Sequence, residues 1–132
     1  DPGTVEVVSR HEQAFVEAWH YDMGEMISTT RAQGVPVLLM TYHINEAFLP
    51  AEEFMRLSQA FGLPLVRNDL VFARLMRREG FGMEDYFHHD KWHPNARGYE
   101  LIARHAFEAI VTHHLLERGV RLQSSSTGSV DG

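Results

Sequence analysis

Asp90 and His93 stand one helical turn apart in the segment Asp90-Lys91-Trp92-His93-Pro94-Asn95-Ala96-Arg97-Gly98. A carboxylate three residues before an imidazole can accept a hydrogen bond from its Nδ1–H. That bond fixes the tautomer and leaves Nε2 free to take a proton from a hydroxyl. The spacing therefore suits the acid–base half of a serine-type triad. Pro94 steers His93 away from the α region, so the ring projects from a loop. Pro94, Asn95 and Gly98 are placed to open a helix directly afterwards.

Other polar residues offer competing chemistry. His88 and His89 extend the pair to His-His-Asp-x-x-His, three or four nitrogen and oxygen donors of the kind that hold zinc or another divalent ion. The alternative is two exposed loop histidines. His43 and Asn45 follow an apolar run and stand where a substrate can be touched, or where a loop packs. Trp92, Phe81, Tyr86 and Phe87 can line an apolar pocket or fill a core. Arg74, Arg77 and Arg78 read as a solvated helix face. His113 and His114 suit the negative end of the last helix.

These residues need elements to position them. Val5 to Gln33 reads as a helix, with Val8, Phe15, Trp19, Met23, Met26 and Ile27 at three- and four-residue steps. Gly24 allows a kink, and Gly34 fits a C′ cap. The apolar run Val35 to Thr41 suits a strand buried on both faces, with Pro36 tolerated only at its start. Pro50 to Phe61 reads as a second helix, closed by Gly62. Leu63 to Arg67 is a second strand. Together these segments form one βαβ unit, whose crossover should be right-handed. Leu70 to Arg78 is a shorter helix, and residues 80–92 form a loop rich in aromatic residues and histidine. A last helix runs from Pro94 or Asn95 to Leu116, with Tyr99, Ile102, Ala103, Ala106, Phe107 and Ile110 facing inward. Residues 121–132 are expected to be a flexible polar tail, its serine run starting at Ser124.

At 132 residues with 44% hydrophobic content, the chain fits one α/β domain. Eighteen acidic against 12 basic residues give a formal net charge of −6, and no basic stripe marks a nucleic-acid partner. The absence of cysteine removes disulfides, Cys-ligated zinc and thiol catalysis. No apolar run is long enough for a membrane span. The sequence does not fix a compartment.

The block Asp90-x-x-His93-Pro94-Asn95-x-x-Gly98, followed by Tyr99-Glu100-Leu101-Ile102-Ala103, resembles the final block of the SGNH, or GDSL-type, hydrolases. The strand–helix–strand order before it is similar to that family's last βαβ segment. The resemblance spans the order of elements from Val35 to Ile110, but only the final block is specific. It implies a flavodoxin-like three-layer α/β/α fold and hydrolysis of a small-molecule ester without a cofactor. In it His93 would be the general base and Asp90 its orienting partner; His43, Asn45 and Trp92 are candidates for substrate contact from their own positions in the chain. The family's Gly-Asp-Ser block, its second glycine block and its Gly-x-Asn-Asp block have no counterpart in these 132 residues. Ser9, Ser28 and Ser58 fall in expected helices, and none follows a strand. The expectation is therefore that residues 1–120 are the C-terminal part of such a domain. The missing blocks would lie upstream of Asp1, and the incomplete sheet would self-associate or pair with that part. The competing expectations are a non-catalytic α/β module and a metal-binding protein built on the His88–His93 loop.

Overall fold

The structure is a computed structural model that describes residues 2–43, 51–78 and 82–117. The tail at 121–132, together with Asn45, Pro50 and Phe81, lies outside the described residues. The chain runs α1 (Pro2–Ala32), β1 (Leu39–Met40), α2 (Ala51–Phe61), β2 (Leu65–Val66), α3 (Asn68–Arg78), a 3-10 turn (Met83–Asp85) and α4 (Ala96–Thr112). It is mostly helical, with one parallel two-stranded sheet in which Leu39 pairs with Leu65 and Met40 with Val66. The mixed α/β character and the parallel strand–helix–strand order agree with the sequence.

The two helices that precede strands end in the same way. Gly34 and Gly62 take positive φ, 73° and 61°. Val35 N–H then reaches back to Thr30 O at 3.2 Å, and Leu63 N–H to Ser58 O at 2.9 Å. These are Schellman closures, which only a residue without Cβ enters cheaply. The Ser58 hydroxyl also donates to Leu63 O at 2.7 Å. Gly24 does not break α1, which is continuous through it.

Both strands are shorter than their apolar runs, for a reason visible in the ladder. Leu39 N–H donates to Pro64 O at 3.0 Å and Thr41 N–H to Val66 O at 2.9 Å. The alternation of a parallel ladder puts the Pro64 nitrogen where the next donor toward β1 would stand, and proline has none. At the other end Asn68 has entered α3. Its side-chain Nδ2–H takes over the rung by donating to Thr41 O at 3.0 Å.

Two apolar clusters hold the layers. Ile27, Leu39 and Leu57 are buried, with Trp19, Met23, Val37, Phe61, Leu63 and Leu65 packed around them, joining α1 and α2 to the sheet. His20 on α1 also bonds through Nε2 to the buried Glu53 of α2, which Arg56 approaches at 3.3 Å. The second cluster is Phe72, Tyr86 and Phe87, packed by Leu75, Met76, Met83, Leu101 and Ile102. It joins α3, the 3-10 turn and α4. Phe72 is completely buried, which stabilises the fold by about 2–3 kcal/mol.

The helix-facing expectation for α4 holds only in part. Ile102, Ala106 and Ile110 are half-buried, but Tyr99, Ala103 and Phe107 are exposed. With Val111 they form one row at four-residue steps, and Tyr99, Phe107 and Val111 are 57%, 65% and 54% exposed. The half-buried face runs instead through Leu101, Ile102, His105, Ala106, Ala109 and Ile110, so the expected stripe is rotated toward solvent. No helix among the described residues is long and apolar enough to cross a membrane.

Candidate active site

Residues 86–95 form a closed loop between the second core cluster and α4. Phe87 and Pro94 make an antiparallel bridge. His88 N–H donates to His93 O at 2.9 Å, and Asn95 N–H to Tyr86 O at 2.9 Å. Inside this frame Lys91 N–H donates to His88 O at 2.8 Å, and Lys91 adopts φ 62°. That left-handed residue reverses the chain and carries Asp90 and His93 to the same side. Tyr86 and Phe87 are core residues, 5% and 3% exposed, and neither is among the residues lining the cleft beside His93.

Asp90 is bound on both oxygens. Oδ1 accepts from Trp92 N–H at 2.9 Å and His93 N–H at 3.1 Å. Oδ2 faces His93 Nδ1 at 2.7 Å. The hydrogen bond from His93, then those from the two backbone N–H groups, hold the Asp90 carboxyl well below the usual carboxylate range. Asp90 therefore remains an acceptor and fixes Nδ1 of His93 as the donor. Nε2 has no partner among the described residues. The pair is open to solvent, with 74% of the His93 side chain and 38% of Asp90 exposed.

Asn95 anchors the loop. Its Oδ1 caps α4 by accepting from Arg97 N–H at 2.9 Å and Gly98 N–H at 3.0 Å. Its Nδ2 donates backwards to Asp85 O at 3.1 Å. Asp85 in turn accepts from Gly82 N–H at 2.9 Å through Oδ2. At Gly98 a Cβ would stand 2.3 Å from Tyr86 O, so the helix comes this close only with glycine there. The Arg97 guanidinium lies 5.1 Å from the centre of the Tyr86 ring.

His93 borders a cleft of about 1010 Å³. Trp19 and Met23 from α1, Met40 of β1, Phe54 of α2, and Tyr99 and Ile102 of α4 supply its apolar walls. Thr41, Tyr42, His43, Asn68, Trp92 and Pro94 complete it. The structure thus brings His93, Trp92 and His43 to one cleft, with Asp90 bound behind His93. His43 lies against Phe87 with ring centres 4.8 Å apart. Trp92 is 57% exposed at the rim.

Sequence reasoning missed the polar cluster at the strand ends. Thr41 Oγ1 donates to Asp69 Oδ1 at 2.7 Å. Arg67 clamps Asp69 from Nε at 2.8 Å and Nη2 at 2.6 Å. The Arg67 bond holds the Asp69 carboxyl below its ordinary range, and the same bond raises Arg67. The only available signal was Arg67-Asn68-Asp69 directly after an apolar run.

The loop histidines His88 and His89 are exposed, and no group of three or more metal-ligating side chains able to hold an ion occurs among the described residues. No protein-family model, curated protein or solved structure matches the chain.

Proposed function

We propose that this chain carries the acid–base half of a serine-type ester hydrolase, within a flavodoxin-like three-layer α/β/α domain of the SGNH type. One observation carries the reading: His93 is oriented through Nδ1 by Asp90 at 2.7 Å while its ring borders an apolar cleft. His93 Nε2 takes the proton of a serine hydroxyl as that oxygen attacks the ester carbonyl. It returns the proton to the departing alkoxide. Asp90, held as a carboxylate, steadies the imidazolium in between.

The nucleophile and the oxyanion donors come from polypeptide outside the described residues. No hydroxyl among those residues is hydrogen-bonded to His93, and the Ser58 and Thr41 hydroxyls are committed to Leu63 O and Asp69. The exposure of His93 agrees with this, since acid–base catalysis gains from a covered, water-poor site. The segment that delivers the serine would also supply that cover.

The test is hydrolysis of p-nitrophenyl esters by the protein in its full gene context. His93→Ala is expected to lower kcat by about a thousandfold or more, and fluorophosphonate labelling to mark a serine outside the described residues. Near-normal turnover by His93→Ala would remove the assignment. A non-catalytic α/β module is the second reading, favoured by the exposed row Tyr99, Ala103, Phe107 and Val111. It requires that no serine is labelled and no ester is cleaved.

A further inference from the structure

Resting on that reading, we infer that the cleft beside His93 selects esters bearing an uncharged aliphatic chain of medium to long length, and that Met23 and Ile102 set this preference. The walls are Trp19, Met23, Met40, Phe54, Tyr99 and Ile102, contributed by four different elements. Among the described residues no carboxylate, lysine or arginine lines the cleft.

The donors of Thr41 and Asn68 on its lining are already used. The Thr41 hydroxyl is given to Asp69 at 2.7 Å, and the Asn68 amide N–H to Thr41 O at 3.0 Å. The remaining Asn68 Oδ1 is buried without a hydrogen-bond partner among the described residues. A charged or polyhydroxylated group entering here would lose its water and meet mainly apolar side chains, which is unfavourable. A chain of methylenes loses nothing by the transfer.

Size points the same way. About 1010 Å³ is at the upper end of the range for pockets that enclose whole small ligands. An acetyl group would leave almost all of it wet. Each methylene that leaves water for these walls should strengthen transition-state binding roughly fourfold. The aliphatic chain can be the acyl part or the alkyl alcohol part, since both meet at the carbonyl beside His93.

Two ester series on the full-context protein test the inference. One lengthens the acyl group of p-nitrophenyl esters from acetate through hexanoate to dodecanoate. The other lengthens the alcohol of alkyl acetates. A kcat/KM that climbs roughly fourfold per methylene in the first series assigns the cleft to the acyl part, and in the second to the alkyl part. Met23→Trp and Ile102→Trp, each checked for unchanged circular dichroism, are expected to flatten whichever series climbs.

Decanol binding, followed by the fluorescence of Trp19 and Trp92, separates this inference from the hydrolase reading. Hydrolysis that is fastest for acetate and flat with length overturns the inference and leaves the reading standing. Saturable decanol binding that is lost in Met23→Trp, without any ester hydrolysis, supports the apolar site and removes the hydrolase. Neither binding nor hydrolysis overturns both.

Discussion

Asn95 performs two tasks through the two ends of one amide, and substitutions can separate them. Asn95→Ala removes both. The cap on Arg97 and Gly98 N–H is worth about 1 kcal/mol, and the Nδ2 bond to Asp85 O about 1 kcal/mol more. The expected loss is therefore roughly 2 kcal/mol. Asn95→Asp keeps the cap and gains about 0.5 kcal/mol from a negative charge at a helix N-terminus. It also loses the backward donor and sets a carboxylate against a carbonyl oxygen that stood 3.1 Å from Nδ2. Asn95→Ser keeps the cap and has no donor long enough to reach Asp85. Both should fall between the parent and Asn95→Ala.

Urea unfolding at constant slope gives the stability order. The same variants should broaden the downfield Nδ1–H resonance of His93 in NMR spectra. Loss of the tie to Asp85 frees the loop that holds Asp90 against it. Stability of Asn95→Ala within about 0.5 kcal/mol of the parent, the ordinary range for a surface change, would refute the reasoning.

Four further outcomes are expected. The Asp90 carboxyl is depressed in the folded state, so its contribution is complete above its unfolded value near 4 and is lost as pH falls toward the lower folded value. Carboxyl ¹³C titration should place its midpoint below that of an ordinary aspartate, and Asp90→Asn should flatten the acid limb of the stability curve. Asp69→Ala takes the carboxylate from the Arg67 guanidinium and the acceptor from the buried Thr41 hydroxyl and should cost about 3 kcal/mol by urea unfolding. Lys91→Gly relieves a left-handed Cβ, worth about 1–2 kcal/mol, against an entropy cost of about 0.5–1 kcal/mol, and should raise Tm slightly. Gly98→Ala gains about 1 kcal/mol of helix propensity but drives a Cβ into Tyr86 O, so a clear fall in Tm is expected.

The features legible in the sequence were those that depend on neighbours. Gly34 and Gly62 announced their helix ends because a left-handed cap is a local demand. Asp90 and His93 announced their pairing because three residues separate them. The features that were not legible depend on distant partners. The Arg67–Asp69 clamp meets Thr41 across 28 residues, and His20 meets Glu53 across 33. The strand lengths were missed because apolar content does not reveal that Pro64 faces its partner with the atom it lacks. Periodicity placed Tyr99, Ala103 and Phe107 on one stripe of α4, but it carries no information about whether anything covers that stripe.

The closed loop around Asp90 and His93 has a consequence for the order of assembly. Its hydrogen bonds reach back no more than 11 residues, from Asn95 to Glu84. The β1–β2 ladder instead joins Leu39 to Leu65 across a whole helix. Each doubling of a closed span adds about 0.6 kcal/mol of entropic cost, and spans near ten residues close within about 100 ns. The Asp–His geometry should thus form early, before the sheet, with the second core cluster locking it in place. Amide exchange should find His88 and Asn95 protected while Leu39 and Thr41 are still exchanging. The Asp90–His93 pair then belongs to a short stretch of chain, residues 82–112, more than to the sheet beside it.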